Sequence, residues 1–282
     1  MGHLSFNLRL SLEKLRFYRK LGYSCNLKHP DTFNEKVFWR KIYDRNPLFS
    51  ILADKYKARG YIRKTIGNER AEDILVPLYH VTSDPETLPF DTLPSEYMVK
   101  ANHGCGWILP VEDGDELDRE KVIKKARKWL RTVFGVNLLE WAYSGITPLI
   151  MVEKLLKENG KIPRDYKFFV FSGKVAFFLV IQDRFTNPSV LFFDRNMDPL
   201  NVRTNWAKGP EILKPPGFEE MVCLAEELAR GLDFLRVDLY NLNGKIYFGE
   251  FTVYPGSATS RYPFEFDLEM GRKWDLPYKG RL

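Results

Sequence analysis

Cysteine is scarce in this sequence: Cys25, Cys105 and Cys223 are an odd number scattered without CxxC spacing, which excludes a disulfide framework and a cysteine-built zinc site. Long hydrophobic runs are missing as well. No stretch approaches the roughly 18 consecutive apolar residues of a membrane-crossing helix, and the opening MGHLSFNLRLSLEKLRFYRK lacks the apolar segment of a secretion signal. The expected location is therefore cytoplasmic. Zinc-finger spacing and an RNP-like aromatic strand are absent and the basic residues are spread through the chain, so nucleic acid is not an expected partner. Neither a Walker-type GxxxxGK loop nor a dinucleotide fingerprint occurs.

What remains is a well-furnished globular chain. With 282 residues, 44% hydrophobic and 28% charged, it can bury a substantial core as one compound catalytic unit or two small lobes. The net charge of +6 would concentrate nucleic acid, an anionic membrane face or an anionic small substrate, and alone does not choose among them. The first segment gathers Arg9, Lys14, Arg16, Arg19 and Lys20 among leucines and aromatics. Two readings fit it: an amphipathic helix resting on a membrane surface, or a docking helix whose basic face is solvated.

Apolar spacing predicts a helix over LEKLRFYRKLGY and, after the turn signal HPD, a second over FNEKVFWRKIYD with Asp31 or Thr32 as its cap. Residues 1–50 are thus expected to form a helical substrate-side or packing segment. Residues 51–147 mix a helix (ILADKYKARGYIRKTI), an apolar stretch (DILVPLYHV), a strand (EYMVKA) and a charged helix (DREKVIKKARKWLRTVF), which reads as an α+β lobe. Over 148–282 strands dominate: PLIMVEKLL, a hairpin in DYKFFVFSGKVAFFLVIQD turning at Ser172-Gly173, and SVLFFD. A helix, FEEMVCLAEELARGL, and a last hairpin, FLRVDLYNLNGKIYFGEFTVY, complete this part. The expected architecture is two α+β lobes with a cleft between them.

The last hairpin is the most informative segment, because Arg236, Asp238, Glu250 and Thr252 interrupt strands that otherwise read as core. Alternation places the members of each strand on one face. A three-residue loop at Leu242-Asn243-Gly244 would pair Arg236 with Glu250 and unite all four, whereas a two-residue Asn-Gly turn would split them. The three-residue loop is expected, since it leaves Leu235, Val237, Leu239, Phe251 and Val253 together on a core-facing side. Two converging carboxylates repel unless a cation neutralises them. Magnesium takes one or two carboxylates with phosphate oxygens and water, which Asp238 and Glu250 suit; a plain salt bridge of Arg236 with Glu250 on an exposed sheet is the alternative.

Three other segments carry polar chemistry. In YMVKANHGCGW a strand ends in Lys100 and enters a loop whose Gly104 and Gly106 would let backbone N–H groups close over phosphates, although an ordinary turn reads the same locally. His103 in that loop is either an acid–base group or a local hydrogen-bonding residue. LADKYKARGYIRK bears Lys55, Lys57, Arg59 and Arg63, and LIMVEKLL places Glu153 after an apolar strand, where carboxylate and backbone suit the edge of a base. Arg184, Arg195 and Arg203 are candidates for an anionic substrate, or surface arginines.

In this order, TFNEKVFW, ADKYKARGYI, PLYHV, VKANHGCGW, MVEKLL, DYKFFVFSGKV, RVDLYN and GKIYFGEFTVYPG resemble the ATP-grasp superfamily. Within it they resemble the TupA-like family found with teichuronopeptide and other surface-polysaccharide genes, from about Thr32 to Pro255. The resemblance implies ATP and Mg2+ held between two α+β lobes. It matches Lys55 and Lys100 to the lysines on the phosphates and base, and residues 103–107, with His103, Gly104 and Gly106, to a mobile phosphate loop. Glu153, Lys154 and Leu156 match the adenine hinge, and Phe248 would lie beneath the base. Asp238 and Glu250 match the metal carboxylates and Arg236 the charge-stabilising arginine. Thr252 stands where many members carry asparagine, which puts a second metal in doubt. Lys167 matches a ribose or substrate contact.

The implied reaction is carboxylate activation through an acyl phosphate, then attack by an amine. The implied partners are a carboxylate-bearing sugar or amino acid and an amine acceptor, with the stretch from Tyr254 to Tyr262 placed to contact the acceptor and Arg236 also steadying the tetrahedral oxyanion. The resemblance also admits peripheral association with membrane polysaccharide-assembly machinery at the inner face of the membrane. A kinase of the same fold and a non-catalytic or glycosyltransferase-like assembly protein are the rival readings; the full set of acids, lysines and arginine speaks against a dead site.

Overall fold

The computed structural model describes residues 5–113 and 118–277. It opens with α1 (Phe6–Leu21), where Ser5 caps the start, and α2 (Phe33–Tyr43). Thr32, one of the two expected caps, is the one used: its hydroxyl accepts from the Glu35 N–H at 3.2 Å while the Glu35 carboxylate accepts from the Thr32 N–H at 3.0 Å. Nearly all of α2 is buried. Its Arg40 donates to Asp233 at 2.5 Å and to the Phe234 carbonyl at 2.9 Å, and its Phe33 lies 5.2 Å from the Phe234 ring.

The stretch ILADKYKARGYIRKTI, expected as one helix, divides into α3 (Leu48–Ala53) and α4 (Lys55–Ile66). Asp54 makes the break, because its carboxylate accepts from the N–H groups of Tyr56 and Lys57 and so caps a new helix. A short α5 (Asn68–Ile74) follows. Strands β1 (Leu78–Thr82), β2 (Tyr97–Ala101), β3 (Ile108–Val111) and β4 (Ile150–Lys154) form a four-stranded sheet in the order β1-β4-β2-β3, with α6 (Arg119–Leu130) against it.

The second sheet contains β5 (Asp165–Phe171), β6 (Lys174–Gln182), β7 (Ser189–Asp194), β8 (Pro199–Leu200), β10 (Phe234–Leu242) and β11 (Lys245–Thr252) in the order β11-β10-β5-β6-β7-β8, while β9 (Ala207–Lys208) pairs with β7. Helix α7 (Phe218–Leu228) covers one face, and α8 (Phe264–Arg272) packs on α2. The β5–β6 hairpin turns at Ser172 and Gly173, both at positive φ, as the Ser-Gly pair predicts. Two cores result. A small one joins Val99, Val111, Val122, Trp129 and Val152; a large one joins the seven-stranded sheet to α2, α3, α4, α5 and α7.

The boundaries expected at residues 50 and 147 differ from this packing. Residues 48–74 bury Phe49, Leu52, Ile62 and Ile74 in the large core, and β4 belongs to the small sheet. The first lobe is thus β1 to β4 with α6. The expected arrangement of an α+β fold with an N-terminal helical segment stands.

Candidate active site

The last hairpin closes with the two-residue Asn243-Gly244 turn, not the expected three-residue loop: Leu242 pairs with Lys245, and both turn residues have positive φ. A regular ladder from that turn would separate the acids. A bulge at Gly249 prevents it, since Leu239 pairs with Phe248 but Asp238 pairs with Glu250. Asp238 and Glu250 therefore lie side by side, and Arg236 faces Thr252 instead of Glu250. Leu235, Val237, Leu239, Phe251 and Val253 are all buried, as the expected core face requires.

A cleft lies between the two sheets. Its lining is of two kinds: apolar, from Val76, Met98, Ile108, Leu155, Leu156, Ile162 and Phe248, and charged, from Lys55, Lys100, Glu153, Asp165, Arg184, Asp238 and Glu250. Apart from Lys100 and Glu153, which pair with each other, the charged groups form one network with Lys167 and Arg236. Arg236 donates to both Asp238 oxygens at 2.7 and 2.8 Å and lies 3.6 Å from Glu250. Lys167, buried, bridges Asp238 and Asp165, the latter at 2.6 Å, and Arg184 donates to Asp165 at 2.9 Å. Lys55 lies 3.4 Å from Glu250. Burial raises the cost of ionising Glu250, yet the cations Lys55, Lys167, Arg236 and Arg184 outweigh it and hold the carboxyl down at about 2. The same acids push the Arg236 and Arg184 guanidiniums up against the opposing effect of burial.

The glycine loop reaches the cleft at Gly106, whose φ is positive, and is tied to it at Gly104, whose carbonyl accepts from the Lys55 ammonium at 2.6 Å. The Trp107 ring lies on Gly104 so closely that a Cβ there would be 2.4 Å from it. His103 does not face the cleft. Its ring is buried between the Asn102 side chain at 3.0 Å and the Trp129 carbonyl at 3.1 Å, and burial pushes its pKa down, so it anchors the loop to α6. The carboxylate of Glu153 is likewise engaged: it pairs with Lys100 and lies 3.4 Å from Arg59. With that carboxylate neutralised, the lining from Lys154 to Leu156 offers main chain and apolar side chains.

A family model described as TupA-like ATPgrasp matches residues 35–274. The chain belongs to the TupA-like ATP-grasp family. Its fold is similar to D-alanine–D-alanine ligase from Bacillus anthracis complexed with ATP (19% identity, TM-score 0.42, covering 74% of this chain and 56% of that one). It is also similar to D-alanine–D-alanine ligase from Helicobacter pylori (13%, TM-score 0.46, 87% and 70%) and to the ATP-grasp ligase PsnB with minimal precursor, Mg and ADP (17%, TM-score 0.41, 78% and 58%). The chain spans little more than half the length of the Bacillus enzyme and of PsnB. No curated relative matches the sequence.

Among the described residues of this ATP-grasp chain, no three or more His, Cys, Asp or Glu side chains converge as a metal site. Magnesium needs fewer when phosphates and water complete its shell. Glu250 suits that role, because the cations beside it stand at 3.4 and 3.6 Å, farther off than those on Asp238. Asp238 suits it once Arg236 yields Oδ1. Thr252 is outside the cleft lining.

A second cavity of about 410 Å³ opens on the same face of the seven-stranded sheet, floored by Phe169, Leu179, Ile181 and Phe192. Its charged lining is entirely cationic: Arg16, Lys20, Lys167, Arg236 and Arg261. Lys167 and Arg236 thus stand between the two cavities. The stretch from Tyr254 to Tyr262 contributes Pro255, Gly256, Thr259, Ser260, Arg261 and Tyr262 to this wall. Of the three candidate arginines only Arg184 reaches the cleft; Arg195 pairs with Glu226 at 2.9 Å and Arg203 is exposed.

Sequence reasoning missed Asp165, whose buried Oδ1 has no hydrogen-bond partner among the described residues, and the pairing of Arg59 with Glu153. The first had a signal: Asp165 and Lys167 alternate in an apolar strand as Arg236 and Asp238 do. The second had none, since Arg59 looks like one more charge on a basic helix.

Proposed function

We propose that this chain is a Mg-ATP-dependent carboxylate–amine ligase working through an acyl phosphate. The observation that carries the reading is the pair of cavities on one sheet face, one mixed apolar and charged, the other cationic, meeting at Lys167, Asp238, Arg236 and Glu250. In it, the apolar lining with Phe248 and Leu156 receives adenine, the main chain from Lys154 to Leu156 reads its edge, and Lys55, Lys100 and the loop at Gly104 and Gly106 hold phosphates. Glu250 and Asp238 would hold magnesium, which when bound neutralises phosphate charge and fixes the oxygens in place.

The carboxylate lies in the cationic cavity against Arg236. Its oxygen forms a bond to the γ-phosphorus as the bond to the bridging oxygen breaks, and ADP leaves with that electron pair. Lys55, Lys100 and Arg236 stabilise the charge that develops, the main requirement of phosphoryl transfer. An amine nitrogen then bonds to the acyl carbon, phosphate departs, and the surplus amine proton passes to solvent, with Arg236 facing the oxyanion. Lys167 is placed to position both partners.

The cationic wall favours uronic acids and acidic amino acids as the carboxylate, which agrees with a cytoplasmic role in surface-polysaccharide or peptide-conjugate synthesis. ADP release from Mg-ATP across such acids, with and without amines, tests the proposal, with products weighed by mass spectrometry. ADP with an amide-linked mass is expected. ADP with a stable phosphorylated sugar would make the protein a kinase, and no ADP with any combination, together with no ATP binding, would favour the non-catalytic reading.

A further inference from the structure

Helix α1 has an outward face that neither cavity uses. Its buried side chains are Glu13 and Phe17. On the opposite side Leu8, Leu12 and Leu15, at i, i+4 and i+7, form one stripe and are 45%, 48% and 42% exposed. Leucines at that spacing ordinarily face a core. Here they face solvent; Arg19, one turn on from Leu15, and Lys14, about 100° round the helix from it, are exposed too. The one acid of the helix, Glu13, is turned inward and pairs with Lys41 at 2.9 Å and Arg16 at 3.0 Å, so the helix itself presents no exposed negative charge beside its basic residues.

We infer that α1 is a docking surface for an anionic lipid bilayer, lying in the interface plane with its leucines among the acyl chains and its basic residues at the headgroups. Charge and apolarity together select this occupant. A polyanion such as nucleic acid would leave the leucine stripe uncovered, and two copies joined through this face would bring Lys14 and Arg19 against their equivalents. Among the described residues no helix is long and apolar enough to cross a membrane, so the contact is peripheral. Arg16 and Lys20 of the same helix line the cationic cavity, which therefore opens beside the docked surface. The inference stands on α1 alone and does not require the ligase reading.

The test is co-sedimentation of the full chain with vesicles of phosphatidylglycerol and phosphatidylcholine in equal parts, against vesicles of phosphatidylcholine alone. Partition into the anionic vesicles, weakened by added salt, is expected. The variant Leu8→Gln/Leu12→Gln/Leu15→Gln should lower the partition coefficient roughly tenfold or more, and Lys14→Gln/Arg19→Gln by a similar factor. Circular dichroism checks that both remain folded, and the charge variant serves if the leucine variant does not. Absence of binding to anionic vesicles, equal binding by a folded leucine variant or by the charge variant, or self-association abolished by the leucine changes without vesicle binding would each overturn the inference.

Discussion

At Glu250 burial and charge act in opposite directions, and charge prevails: four cations hold its carboxyl near 2, so it is ionised wherever the protein works. Glu250→Gln should lower kcat/KM for ADP release about hundredfold or more, the scale of losing a preorganised charge at a reacting phosphate, with an unchanged circular dichroism spectrum. Turnover close to wild type would remove Glu250 from the site. Glu140 is the contrasting case. Burial pushes it from its ordinary 4.5 up to about 7, with Lys41 only partly opposing. The fold favours its acid form, so its contribution to stability is complete below about 4.5 and is lost as pH rises through about 7. Glu140→Gln should therefore match wild type in thermal melts at pH 4 and exceed it at pH 8 by up to about 3 kcal/mol; equal melts at both pH values would mean Glu140 does not titrate there. Charges that interrupt apolar strands, such as Arg236 and Asp238, were legible in the sequence for just that reason, whereas Lys167 was singled out only by the resemblance. The burial of Glu140 was not, because a glutamate in a turn-rich segment carries no local sign of what covers it.

Among the elements, the last hairpin shows where reading by pattern stops. Alternation grouped Arg236 with Asp238 and Glu250 with Thr252, and a three-residue loop was expected to unite the two pairs; a short turn plus a bulge at Gly249 brings Asp238 and Glu250 together instead. A glycine inside a strand is the available sign of a bulge; its position relative to the turn depends on pairing that spans both strands. Asp54 is similar, a good cap hidden inside a continuous helical pattern. The glycine loop makes the testable case. A methyl at Gly104 would meet the Trp107 ring, which packs edge-on against His103 at 5.2 Å and Phe134 at 5.4 Å, so the ring must move. Gly104→Ala should leave secondary structure intact, shift tryptophan emission and raise the KM for ATP about tenfold, since a displaced loop loses positioning more than chemistry. An unaltered KM would mean that this loop does not close over phosphates.

For the molecule as a whole, the order of the sheets decides what can form a site. Strand β4 lies between β1 and β2 although it follows α6 in the chain, so Glu153 meets Lys100 across neighbouring strands while Asp165, close in sequence, opens the other sheet. Such long-range pairing has no local signature, which is why the lobe boundary fell one strand early. It also means that the cleft is walled by two separately cored lobes, joined by polar contacts that include Lys55 with the Gly104 carbonyl, Asp54 with Asn102 and Arg59 with Glu153. A ligand that touches both lobes should add to their cohesion. Mg-ATP at a hundred times its Kd is expected to stabilise the fold by about 2.7 kcal/mol, or about 5–10 °C in Tm for a chain of this size. Glu250→Gln should keep the part of that shift ATP gives without magnesium and lose the increment magnesium adds, because its carboxylate is the freer of the two candidate ligands. Lys100→Met should reduce both parts, since it removes a cleft cation and leaves Glu153 with Arg59 alone. If wild type shows no shift with Mg-ATP, the cleft is not a nucleotide site, and the resemblance in fold would then extend to architecture without the binding that ordinarily accompanies it.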